Sequence, residues 1–339
     1  MPERLVSTLQ DRHQLGFSMH TLRVIAAAML SLASSVAYAS ELTDMLNKMS
    51  DASLTRNYQG TFILHKADTL ATLHVIHGMD ERGVWESLES LNGESRKVIR
   101  QNNKVISIYP EKKILTVRES HSEKPFHPQL PENIEQLESF YTLQRLNDSR
   151  IAGYPTLVLD LKPKDEFRYG YRYWLSKDTG MLLRCDVFDD KQAILEQMMF
   201  THLEYLDKTP EVAFSKVKLK AYTIKAYDNT DVSADKQAAN KQPNWRVMQP
   251  PEGFTLSQSL YRELPQGLNL LQLVYSDGLA SVSVFVEKIS TNGQHLIGAS
   301  SKNSINAFGV QLKDYHVTVV GEVPAATVKK MAQSTRLDQ

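Results

Sequence analysis

From Tyr58 onward the chain is written in short runs in which apolar and polar side chains alternate, each closed by a turn signal, and this pattern limits the possible folds more than any other feature. Tyr58-Gln-Gly-Thr-Phe-Ile-Leu64 is the first run; Leu73 and Val75 continue after a short turn, and Trp85 to Leu91 ends at Asn92-Gly93, a hairpin signal. Lys97 to Arg100, Val105 to Tyr109 and Ile114 to Val117 follow, then Tyr154 to Leu161, Tyr169 to Leu175 and Met181 to Phe188, the last two joined by the turn Lys177-Asp-Thr-Gly180. A period of two marks strands, and their quick succession favours a meandering antiparallel sheet with a few helices packed on it, not a βαβ fold.

Two helices are expected in this half. The first opens at Ser40, with Leu42, Met45, Leu46 and Met49 on one face; the second runs from Pro131 to Tyr141, with Ile134, Leu137 and Tyr141 together. Residues 228–243 then carry one β-branched aliphatic and no aromatic, the composition of a linker. They divide a large module, 40–227, from a small one, 244–339, each long enough for its own core. In the small module Tyr275 to Glu287 reads as a hairpin, with Asp277-Gly278 as positive-φ turn residues and Ala280, Val282, Val284 and Val286 alternating against Ser281, Ser283, Phe285 and Glu287. Val317 to Val328 runs a strand into a helix, with Pro324 in its first position and Val328, Met331 and Ala332 on one face.

Residues 1–39 read as an export signal, with Arg4, Arg12 and Arg23 ahead of the apolar run Val24 to Ala33 and Ala37-Tyr38-Ala39 as a small-x-small cleavage site. The apolar stretch is short for a membrane span, which takes about 18 residues or more. Met19 is an alternative start. An exported protein of this kind is expected in the periplasm. Lys and Arg together balance Asp and Glu at 39 each, which removes the usual electrostatic footprint of nucleic-acid binding. Cys185 is the only cysteine, so no internal disulfide can form, and its strand-like setting reads as a small buried residue.

No cofactor motif, glycine-rich phosphate loop, HExxH or G-x-S-x-G occurs. His74 and His77 lie three apart, hence on opposite faces of a strand, which argues for structural histidines and against a metal site. In Arg168-Tyr-Gly-Tyr-Arg-Tyr-Trp-Leu175, alternation sets Tyr169, Tyr171, Tyr173 and Leu175 against Arg168, Gly170, Arg172 and Trp174. Either the tyrosines border a ligand cavity and the arginines meet a partner, or they are a core face backed by cross-strand ion pairs. Phe62, Leu64, Leu73, Val75, Trp85 and Leu88, with Tyr169 and Tyr171, are the candidates for lining a lipid cavity, and equally for filling an ordinary core. Lys216, Lys218 and Lys220 form a basic stripe of the kind that guards a sheet edge.

Tyr58-Gln-Gly-Thr-Phe62, Ser90-Leu-Asn-Gly93 with Val98-Ile-Arg100, Arg150-Ile-Ala-Gly-Tyr154, Arg168 to Leu175 leading to Thr179-Gly180, and the two C-terminal stretches occur in an order that resembles the RseB/MucB family of periplasmic regulators of the envelope-stress sigma factor. The resemblance covers nearly all of the exported chain. It implies a β-rich α+β fold: an incomplete antiparallel β-barrel with packed helices, like that of the lipoprotein carriers, plus a smaller C-terminal α+β domain. It also implies a protein without catalytic activity that binds the periplasmic part of a membrane anti-sigma factor, shields it from proteolysis and senses lipid or lipopolysaccharide. The partner contacts expected on this view are Arg168, Arg172, Ser283, Phe285, Glu287 and Glu322. A lipid or lipoprotein carrier built on the same incomplete barrel is the alternative; a carrier has no need of the second module. A hydrolase using scattered carboxylates or histidines comes third.

Overall fold

A computed structural model describes residues 42–339 apart from 82, 102–103, 120–133, 212–220, 227–243, 265–267, 290–294 and 338–339. The expected signal segment, Ser40, the linker 228–243 and the lysine stripe at 216–220 lie outside the described residues. A first helix, α1, covers 42–55 and buries Leu46, Met49 and Ala52. Six strands follow in meander order: β1 (Tyr58–Lys66), β2 (Thr69–Asp80), β3 (Gly83–Ser90), β4 (Lys97–Gln101), β5 (Lys104–Tyr109) and β6 (Ile114–Glu119). After the short helix α2 (Ile134–Phe140) a second meander runs through β7 (Tyr141–Ile151), β8 (Tyr154–Pro163), β9 (Gly170–Ser176), β10 (Leu182–Phe188) and β11 (Ile194–Tyr205), and β12 (Thr223–Ala226) comes last.

The two meanders are joined at their first and last strands. The order across the 12-stranded sheet is β12-β6-β5-β4-β3-β2-β1-β11-β10-β9-β8-β7, and the central seam is the antiparallel pair β1–β11, from Tyr58 opposite Tyr205 to Lys66 opposite Glu196. Only β12 with β6 is parallel among these pairs. The sheet ends in β12 and β7 and is not closed into a barrel. Gly60 is needed at the seam, because a Cβ there would lie 2.6 Å from the His202 carbonyl oxygen. Gly180, at φ +78°, lets the β9–β10 turn approach α1, where a Cβ would lie 2.9 Å from the Lys48 carbonyl oxygen.

The small module holds a second antiparallel sheet of six strands, ordered β14-β15-β16-β19-β18-β17. These are β14 (Thr255–Leu264), β15 (Leu268–Ser276), β16 (Ser281–Lys288), β17 (Gly298–Lys302), β18 (Ile305–Leu312) and β19 (Tyr315–Gly321). Helix α3 (Ala325–Ser334) packs on one face, while β13 (Trp245–Val247) pairs with β20 (Thr335–Leu337). Val282, Val284 and Val286 of β16 and Val317 and Val319 of β19 face Val328, Met331 and Ala332 of α3, all buried. Each such side chain withdrawn from water contributes roughly 1.5–3 kcal/mol, which is why strict valine alternation fixes this strand register.

Four expectations differ in detail. Pro324 caps α3 from the residue before it, with ψ 150°, instead of occupying its first turn. Of the Asp277-Gly278 pair, Gly278 alone has positive φ; Asp277 instead closes the turn through its side chain, whose Oδ1 accepts from the Leu279 and Ala280 amides at 3.0 and 2.8 Å. Asn92-Gly93 sits within a longer connection, residues 91–96, and Asn92 braces it by accepting from the Thr72 amide and donating to the Leu70 carbonyl. The second helix stops at Phe140, and Tyr141 opens strand β7, which the apolar spacing did not disclose.

Candidate functional site

The connection between β8 and β9 is where the large sheet meets the small module. Arg168, buried there, donates from Nε to Asp277 Oδ2 at 2.8 Å, and its other nitrogens reach Asp165 and the Glu252 carbonyl. Its guanidinium lies 4.4 Å from the Phe140 ring centre and 5.1 Å from that of Phe254, so a planar cation satisfies two carboxylates while stacking on two aromatic faces. Gly253, at φ +85°, makes room: a Cβ there would fall 2.5 Å from the Phe140 ring and 2.9 Å from Arg168. Next in sequence, the Tyr169 hydroxyl donates to the Ser304 carbonyl and accepts from Asn306 Nδ2 at 2.9 Å. Thr327 donates to the Phe167 carbonyl at 2.8 Å, and Lys330 stands over the Phe167 ring. Lys66 completes the junction by bridging Glu196 and Glu322; burial works to lower its pKa, but the two carboxylates outweigh it and hold the ammonium above its ordinary value.

Register decides which cavity candidates share a face. Phe62 is opposite Leu73 and Phe200, Val75 is opposite Leu88, and Leu64 is opposite Met198. On the same side of β10 and β9 come Cys185, then Tyr173 and Tyr171. Phe62, Leu64, Leu73, Val75, Leu88 and Tyr171 therefore share one apolar face. Trp85 does not: it stands opposite Gly78 on the reverse side, where a Cβ on Gly78 would be 2.7 Å from the indole. Residues three apart in a strand point in opposite directions, so Trp85 and Leu88 cannot line one cavity. Tyr169 is also elsewhere, in the loop ahead of β9 and committed to the module junction.

On that face Tyr141, Tyr171 and Tyr173 form an aromatic group, with ring centres 6.2 and 6.1 Å apart along the row. Burial pushes all three phenols above their ordinary pKa, keeping them neutral. The hydroxyls of Tyr141 and Tyr173 are buried with no hydrogen-bond partner among the described residues, a condition that water or a polar ligand group usually relieves. Burial likewise raises the Cys185 thiol, with Asp186 adding to the effect, which leaves it un-ionised and unreactive. His77 is buried on the same side, stacked on Tyr58 at 4.9 Å with Nδ1 2.7 Å from the Arg56 carbonyl.

Arg172 lies on the reverse face, paired across the strands with Asp160 at 2.8 Å, and Arg184 pairs with Asp186 while stacking on Trp174. Of the expected partner contacts, then, Arg168 is buried at the module junction and Arg172 is half-buried in an internal ion pair. Ser283, Phe285 and Glu287 stand on the face of β16 away from α3, half-buried, and Ser283 accepts from Gln272. Glu322 is 55% exposed. The structure thus leaves the small sheet's outer face and Glu322 as the accessible members of the set. A groove of about 400 Å³ at the β4–β6 and β12 end is lined by Arg96, Lys112, Arg118 and Lys225, with Glu94 bound to Lys112. Sequence reading missed this cationic groove, since its residues come from separate strands.

Fold and surfaces together define a two-module, sheet-built binding protein with an open large sheet and an aromatic inner face. The MucB/RseB N-terminal domain model matches residues 41–221 and the MucB/RseB C-terminal domain model residues 239–336. The chain belongs to the MucB/RseB family. It is 30% identical over 307 residues to the sigma factor AlgU regulatory protein MucB of Pseudomonas aeruginosa, covering 88% of this chain and 92% of that protein. With the sigma-E factor regulatory protein RseB of Haemophilus influenzae it shares 24% over 322 residues, 93% of this chain and 98% of the other. The solved complex of Pseudomonas aeruginosa MucA and MucB superposes at TM-score 0.69 and 27% identity, over 88% of this chain and 99% of that one. The family is one of regulatory proteins.

Proposed function

We propose that this chain is a periplasmic regulator, exported by cleavage after residue 39, that binds the periplasmic part of a membrane anti-sigma factor and protects it from proteolysis. The observation that carries this reading is the likeness, across both modules, to a MucB solved together with MucA. A carrier that needs only the large sheet would have no use for a second module fastened to it by a buried arginine. The reading involves no catalysis: binding orders or covers a protease-sensitive segment, and a standard interface of roughly 1,600 Å² suffices for that masking. The module boundary falls within 228–243 on this view, and Ser283, Phe285, Glu287 and Glu322 contribute contacts.

Release requires a ligand that prefers the unbound conformation, because only differential affinity shifts such an equilibrium. Lipid or lipopolysaccharide suits the aromatic face, where the Tyr141 and Tyr173 hydroxyls have no partner among the described residues, and the cationic groove suits anionic headgroups. The experiment mixes the purified protein with an anti-sigma ectodomain and the protease that cleaves it. A stable complex and slowed cleavage are expected; no complex and unchanged cleavage would sink the reading.

A further inference from the structure

At one end of the small sheet's outer face, Glu287 belongs to a group of metal-ligand type. Glu287 near the end of β16 and His316 near the start of β19 are directly paired across the strands, which places both side chains on the face away from α3. His295 reaches the same place from the connection between β16 and β17. Its Nδ1 is 3.4 Å from Glu287 Oε1, the His316 Nδ1 is 3.7 Å from that same oxygen, and the two imidazoles lie 4.6 Å apart between ring centres. One donor atom from each residue lies within 4.8 Å of the other two.

The two nitrogen-to-oxygen separations are close to those a metal ion imposes, and the two imidazoles would draw together by a small side-chain rotation on loading. Ligands about 2.0–2.1 Å from a tetrahedral centre stand about 3.3 Å from one another. The hydrogen bonding around the site selects the right nitrogen. His316 Nε2 is 2.6 Å from the Leu296 carbonyl, which can only accept, so Nε2 carries a proton and Nδ1, which faces Glu287, is the ring nitrogen left to ligate. A metal-bound imidazole is held in just this way, by donating its far N–H to a carbonyl. The Thr318 hydroxyl, 3.2 Å from Nδ1, is placed to donate to it when no metal is bound. His295 presents Nδ1 to Glu287 without such a brace, its Nε2 being buried with no hydrogen-bond partner among the described residues.

We propose that Glu287, His295 and His316 form a binding site for a divalent transition-metal ion of the zinc type, with water in the fourth position on the exposed side of Glu287. Two nitrogens and a carboxylate oxygen are the ligand set Zn2+ accepts, and they are poor ligands for calcium or magnesium. The ion fastens the β16–β17 connection to the sheet at the point where Leu296 already leans on His316.

The test uses the protein with both modules, stripped of metal by a chelator and carrying no histidine tag, titrated with Zn2+ against a chromophoric competitor and with Co2+ by absorption. Expected are one Zn2+ per chain, a rise in Tm on loading, and an affinity weakened at least tenfold in both Glu287→Gln and His295→Ala. Absence of stoichiometric uptake, or uptake of equal affinity in both variants, overturns the proposal. Should His295→Ala fail to fold by circular dichroism, Glu287→Gln decides alone, since that side chain is more than a third exposed and carries no part of the core.

Discussion

Arg168 and Asp277 are 109 residues apart in sequence, yet their side chains meet at 2.8 Å with both shut off from solvent. One belongs to the loop entering β9 and the other to the hairpin turn between β15 and β16, so a single buried ion pair ties the large sheet to the small one. A pair of this kind costs much desolvation to form and is valuable chiefly for fixing one arrangement of its partners.

Replacing Arg168 with Met leaves Asp277 buried without its cation and is expected to cost about 3–5 kcal/mol. Lys is expected to restore little, because a single ammonium cannot reach Asp165, Asp277 and the Glu252 carbonyl while stacking between Phe140 and Phe254. Urea unfolding followed by fluorescence measures it; a loss under about 1 kcal/mol would show that the junction is held elsewhere.

Gly309 on β18 tolerates no side chain, since its Cβ would come 1.7 Å from the Leu296 carbonyl oxygen. Gly309→Ala therefore has to push main chain aside, at an expected cost of about 1–3 kcal/mol, and it disturbs the acceptor of His316 Nε2. A thermal melt equal to wild type would mean the 295–297 segment yields freely.

Burial holds His77 below the ordinary imidazole pKa, outweighing its bond to the Arg56 carbonyl. An unfolded chain takes up a proton near pH 6.5 that the native chain accepts only at lower pH. The contribution is thus complete above about pH 6.5 and declines as pH falls from there toward the native value, by at most about 1.4 kcal/mol per pH unit. Urea midpoints between pH 7.5 and 5 should fall more steeply for wild type than for His77→Phe; parallel slopes would assign the effect to another group.

Tyr173→Phe removes a buried hydroxyl that has no partner among the described residues, and stability should stay level or rise by about 1 kcal/mol. By contrast Tyr154→Phe deletes a donor to the Leu203 carbonyl at 3.0 Å and should lose about that much. If Tyr173→Phe loses as much as Tyr154→Phe, a bound water or ligand engages the hydroxyl.

Strands with clean alternation were readable in the residues themselves: β1, β16 and β19 declare both their existence and their buried face, while β8 declares only its existence, since four successive residues from Thr156 to Leu159 are buried. Strand β11 was not, because Ile-Leu-Glu-Gln-Met-Met-Phe-Thr-His-Leu-Glu-Tyr is rich in helix formers and has one β-branched aliphatic; pairing with β1 and β10 overrides that preference. Strand β7 escaped for a related reason, with Asn147, Asp148 and Ser149 interrupting it where its pairing with β8 slips. Trp85 could have been separated from Leu88 by parity alone. The partners of Arg168, and the meeting of Glu287 with His295 and His316, depend on register and on loops that return from far along the chain, and no local pattern encodes them.

The seam between β1 and β11 also sets the order in which this molecule can be made. Tyr58 waits for Tyr205, so a chain delivered from its N-terminus presents the whole first meander, with its β1 edge unpaired, before the strand that covers that edge exists. Such late, long-range closure makes for slow folding and a prolonged interval of exposed strand edge, which favours assistance by a holding chaperone during assembly.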